Sequence, residues 1–347
     1  MERDAQQMKR TRLAKISFTM LCLIMIAAYF YPLPYYVSKP GMAKELESVV
    51  EVEGGSSAEG SFMLTTIQMG KANVYTYTLA DWIDYWSIYK ESDIRSEEET
   101  DEEYNVRQLY MMEGSKENAI ISAYQAAEKP YEVHYKGVYV YNTVAGMPAD
   151  GILQAGDRIT KVDQTQFVSS EQFVNYISAR KEGDILSLEI NRNDKILEKE
   201  VKVTKMPDVD KVGIGIHLVD DVSVSTTPKV SIDSEKIGGP SAGLMFSLEI
   251  YNQLIDEDIT KGYKIAGTGT INEKGEVGAI GGIDQKVVAA SKSGADIFFA
   301  PNEKGEEDSN YRLAVETAKD INTSMEIVPV DTMEEALDYL RSLQVKE

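Results

Sequence analysis

The sequence predicts a mixed α/β (α+β) protein of more than one domain, behind an apolar N-terminal segment. Three observations carry this. Past residue 206, short β-branched runs alternate with stretches of helical periodicity, the pattern of an α/β domain. Residues 129–205 are richer in strand signals and hold one short helix. Residues 16–38 carry no charge at all. At 347 residues the chain is long enough for two domains and a substantial core.

Residues 1–15 hold Lys9, Arg10, Arg12 and Lys15, the basic tail expected on the cytoplasmic side of a membrane. Residues 16–37 then read as a transmembrane anchor, with Tyr29, Tyr31, Tyr35 and Tyr36 as an interfacial belt at the far end. The competing reading is a signal peptide cut near Ala27-Ala28, but Tyr29 and Phe30 follow at once and the apolar stretch continues. An uncleaved anchor is the expectation, with everything after Lys39 extracellular.

Residues 42–127 read as the first part of the α/β domain. Ser61 to Ile67 is a strand bracketed by glycine, and Asn105 to Glu128 a long helix. Between them, Glu91 to Glu103 holds eight carboxylates in thirteen positions without calcium-loop spacing, so a solvated loop or helix face is expected. From Met206 the catalytic part follows. It holds a serine loop before a helix with Leu244, Leu248, Tyr251 and Ile255 on one face, and a strand Lys264 to Thr268. A hairpin turn at Asn272-Glu273-Lys274-Gly275 leads to a second helix ending near Gly294. Strands at Ile297–Pro301 and Ile327–Val330 and a helix over Thr332–Leu343 close the chain.

The formal charge of −21 argues against nucleic-acid binding, because phosphates would be repelled. One cysteine, Cys22, rules out an intrachain disulfide, and two histidines leave too few ligands for a zinc site, so no metal is expected. No G-x-x-x-x-G-K-[ST] occurs, so no phosphate-cradling loop for ATP is present and no cofactor is expected.

The chemistry gathers at Gly238-Gly239-Pro240-Ser241-Ala242-Gly243. Pro240 suits a first helical turn, and Ser241 is expected at a helix N-terminus, where backbone N–H groups stabilise an oxyanion. The segment matches the G-x-S-x-G nucleophile elbow, but both histidines, His134 and His217, precede Ser241. The elbow's Ser–acid–His order is therefore excluded, and a His-first triad would rest on His217 alone, in a strand-like run. A serine can instead be activated by a lysine. The candidate is Lys286, after Gly281-Gly282, with Asp284 placed to cap its helix. Burial and the helix dipole would both lower its pKa toward neutrality.

Gly-Pro-Ser-Ala-Gly, then Thr268-Gly269, then Gly281-Gly282-Ile283 with Lys286 resemble the proteolytic domain of the Lon proteases. The resemblance implies a catalytic dyad of Ser241 and Lys286, with Thr268 holding the lysine. The oxyanion loop would be Gly239, Pro240 and Ala242. Gly238 departs from the acidic residue common before Gly-Pro-Ser. Met111 to Ala119 resembles the family's helix ahead of the strand leading to the serine. Residues 129–205 resemble a PDZ domain through Gly137-Val138-Tyr139-Val140 and Pro148-Ala149-Asp150-Gly151 to Gly156-Asp157 and Ile159. That implies peptide binding beside the opening strand, with Lys136, Gly137, Val138, Tyr139, Phe173 and Ile177 at the groove. The Lon-like part would then cover 42–127 and 206–347, with the PDZ domain inserted.

The whole plan resembles the membrane-anchored, PDZ-containing Lon-like proteases of Gram-positive bacteria, the YlbL type. It implies an ATP-independent serine endopeptidase acting on peptides or unfolded and membrane-protein segments, with oligomer formation possible. Family members are associated with trimming secreted signalling peptides and with membrane-protein quality control. Two alternatives are a catalytically silent PDZ adaptor at the membrane and a His217-dependent esterase.

Overall fold

A computed structural model of the chain describes residues 2–95, 99–206, 211–234 and 237–346, side chains of 2–12 and 14 excepted. The first third carries α1 (Glu2–Phe30), β1 (Pro32–Glu45), β2 (Ser61–Asn73), α2 (Val74–Ala80), β3 (Ser87–Lys90), α3 (Glu91–Ile94) and α4 (Asp101–Ala126). The middle carries β4 (Tyr131–Thr143), β5 (Arg158–Val162), α5 (Ser170–Ser178), β6 (Ile185–Arg192), β7 (Lys195–Lys202) and β8 (Ile216–Thr226). The last part carries α6 (Gly243–Leu254), β9 (Lys264–Gly267), α7 (Ile283–Lys292), β10 (Ile297–Pro301), α8 (Asn310–Asp320), β11 (Glu326–Val330) and α9 (Met333–Ser342).

The chain divides into two compact units, one of residues 1–41 and 67–97, the other of 42–66 and 98–347. In the smaller unit the helix expected from the apolar stretch stops at Phe30, and residues from Pro32 are strand. The anchor read over 16–37 is therefore corrected at its far end. Tyr35 and Tyr36 pair with Lys90 and Tyr89 across the β1–β3 ladder, and Tyr36 is buried, so they form no interfacial belt. The cause is local: Pro32 and Pro34 break the helix and favour extended backbone. Among the described residues no helix is long and apolar enough to cross a membrane.

In the larger unit, strands β11, β10, β9 and β2 lie side by side and parallel. Side chains alternate across a strand, so each strand feeds both faces. Phe62, Leu64, Ile265 and Phe299 face a core shared with α4, α6 and α9. Met63, Ala266, Phe298 and Ala300 face the opposite core, against α7 and α8. The result is three layers, helices on both faces of a parallel sheet. Every residue of α6 except Gln253 is buried, so this helix is central rather than amphipathic.

Helix α4 starts four residues before the expected Asn105. Thr100 and Glu103 form a capping box, and Asp101, Glu102 and Glu103 sit at the positive end of the dipole. Part of the acidic run is thus a helix start with exposed carboxylates, the helix-face alternative of the expectation. Glu99 is buried and takes two hydrogen bonds from Arg107, at 2.7 and 2.9 Å. Residues 96–98 of the run lie outside the described residues.

The five-stranded middle sheet runs β8-β4-β5-β6-β7. Its membership moves a boundary: residues 216–226, read with the catalytic part, are a strand of this sheet. Ile214 is buried in the same small core, with Val212, Ile216 and Leu218 packed against it, so alternate apolar residues dictate the outcome. The β4–β8 ladder continues from Ile216↔Thr143 to Thr226↔Tyr131, with register shifts at His217/Leu218 and Asp221/Val222. At one end Leu218 and Tyr135 pack on the small core; at the other Tyr131 and Val224 pack on the α4–α6 core.

Candidate active site

Three elements converge on Ser241. It stands just ahead of α6, whose N-cap is Ala242, so Pro240 lies before the helix and not in its first turn as expected. Gly239 turns the loop with φ of +88°, a conformation costly to any residue with a Cβ. The Ser241 carbonyl accepts from the Gly269 N–H at 2.9 Å and from the Thr268 hydroxyl at 2.9 Å. Thr268 follows β9 directly and donates its N–H to Phe299 of β10 at 3.1 Å, so the sheet itself sets its place.

Lys286 lies in the first turn of α7. The N-cap of that helix is Gly282 in left-handed conformation, with no side-chain cap, so Asp284 does not play the capping part expected of it. Lys286 Nζ donates to Ser241 Oγ at 2.7 Å and to Thr268 Oγ1 at 2.9 Å. Its side chain is 2% exposed. Burial pushes its pKa down to about 7, and no carboxylate contributes. A neutral amine at physiological pH has a lone pair to accept a proton, held against a partly exposed serine hydroxyl. That is the arrangement needed for general-base activation of a nucleophile.

Of the three loop positions expected to supply oxyanion donors, two are unfit. The Gly239 N–H is already given to the Gln108 carbonyl at 2.8 Å, and Pro240 has none. Ala242 alone of the three keeps a role there. The histidines lie elsewhere: His217 stacks on Tyr141, with ring centroids 5.8 Å apart, and His134 reaches Ser225 Oγ at 3.1 Å. Neither imidazole belongs to this site.

Sequence reasoning missed two residues of α4. Besides the Gln108 carbonyl, buried Ser115 donates its hydroxyl to the Pro240 carbonyl at 2.9 Å. The sequence marks the Met111–Ala119 segment only as a whole. No pattern marks a contact made 125 residues along the chain.

The expected peptide groove is also corrected. β4 is flanked by β8 and β5, so both its edges are filled and no peptide strand can be added there. A Cβ on Gly137 would come within 2.4 Å of the Ile159 carbonyl, Val138 is buried, and Tyr139 stacks on Tyr110. Lys136 lines a cavity of about 470 Å³ between α4 and the sheet. Phe173 and Ile177 are 1% and 4% exposed, inside the small core. Among the described residues the terminal strands β8 and β7 each keep an unfilled edge, and the one on β8, which follows the Gly213-Ile214-Gly215 segment, lies beside α5.

Among the described residues no cluster of His, Cys, Asp or Glu could hold a metal ion.

Comparison with known proteins places two families on the chain. Residues 121–203 match the PDZ domain family, and residues 198–342 match the Lon protease (S16) C-terminal proteolytic domain. The Lon protease of Mesomycoplasma hyopneumoniae is 32% identical over 102 residues, 29% of this chain and 11% of that protein. The Lon protease of Campylobacter jejuni is 31% identical over 145 residues, 42% of this chain and 16% of that protein. The chain thus spans a small part of the length of these relatives. The PDZ domain of an SdrC-like protein of Listeria monocytogenes is 39% identical, covering 25% of this chain and 93% of that one, with a TM-score of 0.24. Ser241, Thr268 and Lys286 all fall inside the proteolytic match, and the chain therefore combines a PDZ domain with a Lon-type C-terminal proteolytic domain, that of a serine peptidase.

Proposed function

We propose that the protein is a membrane-anchored, ATP-independent serine endopeptidase working through a Ser241–Lys286 dyad. The observation that carries this is the 2.7 Å Nζ–Oγ pair with a lysine whose pKa is lowered to about 7 by burial. With Lys286 neutral, the Ser241 hydroxyl donates to its lone pair and loses its proton as Oγ attacks the peptide carbonyl. The tetrahedral intermediate collapses to an acyl-enzyme as the protonated lysine returns its proton to the leaving amine. Water then attacks the ester, again with the lysine as base, and Ser241 is regenerated. Thr268 holds Nζ through its own hydroxyl oxygen, and the oxyanion is received by backbone N–H groups at Ser241 and Ala242.

No ATP-binding loop lies in these 347 residues, so substrates would arrive already extended: peptides, tails or unfolded segments. The free edge of β8 beside α5 would take such a segment as an added strand. Anchoring is supported by α1, where Ile16, Phe18, Leu21, Leu23, Ile24 and Ile26 are each more than half exposed, an apolar surface that water does not favour. The basic residues ahead of it support an orientation with the remainder outside the cell.

The test is cleavage of casein and of a short-peptide library by the chain without ATP, comparing wild type with Ser241→Ala, Lys286→Ala and His217→Ala. Loss in the first two with retention in the third is expected. Equal residual cleavage in wild type and Ser241→Ala would sink the reading and leave the PDZ adaptor in its place.

A further inference from the structure

The nucleophile loop is held from two sides, and only one of them is the sheet that carries Thr268. The other is α4. Gly239 gives its N–H to Gln108, Pro240 accepts the Ser115 hydroxyl, and a Cβ on Gly238 would meet Gln108 Cβ at 2.9 Å. Gln108 and Ser115 are two helical turns apart, on one face of α4. The peptide units immediately before Ser241 therefore lie flat on that face.

A different face of the same helix is tied to the PDZ sheet. The Tyr110 ring stacks on Tyr139 of β4, with centroids 3.5 Å apart and planes 11° from parallel. Its hydroxyl donates to the Asp220 carbonyl of β8 at 2.6 Å. The Asp220 carboxylate in turn accepts the N–H of Ser170, the first residue of α5. The unfilled edge of β8 and the start of α5 are thus joined through one residue to Tyr110. Beside Tyr110 lies the 470 Å³ cavity, which interrupts the packing of α4 on the sheet at this point.

We propose that Ser115 and Tyr110 are positioning residues of the hydrolysis: Ser115 fixes the Pro240 carbonyl so that Ser241 Oγ meets Lys286 Nζ, and Tyr110 fixes α4 on the PDZ strand β8. The inference rests on the peptidase reading for its reaction, though its geometry does not. Neither side chain touches the reacting atoms. Both act by keeping a nucleophile at a 2.7 Å separation that a shift of about 1 Å would abolish as a productive contact. Tyr110 also makes the protease sensitive to what occupies β8, since a strand added there pulls on the segment that holds Asp220.

The experiment uses the full chain with Ser115→Ala, Tyr110→Phe and Tyr110→Ala. Tyr110→Phe keeps the ring stack and removes only the hydrogen bond, so folding is preserved if the larger change fails. Two readouts are taken: kcat and KM on fluorophore-labelled casein, and amide hydrogen exchange over residues 238–244 by mass spectrometry. Ser115→Ala is expected to lower kcat about tenfold with KM within about twofold, and Tyr110→Phe to lower it about threefold, both with an unchanged melting midpoint. Exchange over 238–244 should rise in both. Unchanged exchange in folded Ser115→Ala and Tyr110→Phe overturns the proposal whatever the activity. So does faster exchange with unchanged kcat, or a kcat loss that only follows a lower folded fraction. A wild type with no Ser241-dependent cleavage overturns the peptidase reading and with it the positioning of hydrolysis. The exchange data then report separately on the link between α4 and the loop.

Discussion

Thr268 Oγ1 accepts a hydrogen from Lys286 Nζ and donates its own to the Ser241 carbonyl, both at 2.9 Å. One hydroxyl thus joins the base to the backbone of its nucleophile. Because the hydroxyl's single proton goes to the carbonyl, it faces the lysine as an acceptor, which leaves the nitrogen lone pair free for Ser241.

Thr268→Val keeps the shape and removes both bonds. It should lower kcat by on the order of 10- to 100-fold, with KM little changed, while Thr268→Ser retains most activity. Steady-state kinetics of the two variants side by side decide this. Equal activity in Val and Ser variants would remove Thr268 from the machinery.

The base must be neutral to act, and its pKa sits near 7. Below that value kcat/KM should rise about tenfold per pH unit, and it should level above it, with no acidic plateau. Lys286→Arg stays charged at every working pH and should be inactive although it keeps a long cation. A pH profile that is flat from 5 to 9 would contradict the dyad.

Glu249, buried on α6, has its pKa raised to about 7 by burial, with Glu47 and Asp258 adding to the effect and Gln253 opposing it. The ordinary value is 4.5. Between the two values the folded chain holds a proton that the unfolded chain has released, so stability falls as pH rises from about 4.5 to about 7 and stays lower above it. Glu249→Gln removes this loss. Denaturant unfolding at pH 5 and pH 8 should show wild type losing at most about 3 kcal/mol more than the variant between the two.

Gly243, the last glycine of the serine motif, leaves no space for a side chain. A Cβ there would lie 2.8 Å from Ile271 Cγ2 and 2.9 Å from Ser115 Oγ. Gly243→Ala should cost about 1–3 kcal/mol of stability and lower kcat, because the clash falls on the helix that carries the loop. A thermal melt and a cleavage assay read the two effects.

If α1 anchors the chain, wild type should float with phosphatidylcholine vesicles on a density gradient, and a variant lacking residues 1–41 should stay with the soluble fraction while keeping Ser241-dependent cleavage. A soluble wild type would remove the anchor and leave the peptidase reading intact.

Much of the site is legible in the sequence. Ser241, Thr268 and Lys286 stand in glycine-rich motifs whose order marks the chemistry, and the strands at Lys264, Ile297 and Ile327 and the helices α7 and α9 follow their local periodicity, whereas α8 is absent from the sequence reading. The helix α4 and the strand Ser61–Asn73 were likewise readable, with boundaries moved by a capping box and by strand pairing. Local sequence determines what a residue can do and which element it prefers, because propensity, capping and alternation act over a few residues.

Only the tertiary structure decided which edges of the PDZ sheet are filled. β8 and β4 pair across a long chain separation, and that pairing closes the edge at Gly137-Val138-Tyr139 and leaves the one at β8. It also decided which N–H groups of the nucleophile loop are already spent, since the Gln108 carbonyl that takes Gly239's arrives from a helix far back in the sequence. Ser115 and Tyr110 belong to the same class. Burial of Lys286, and with it a base that is neutral at pH 7, likewise comes from the packing of α7 against the sheet. Contacts between distant segments carry no local signature, and desolvation is a property of everything that surrounds a group rather than of its neighbours in sequence.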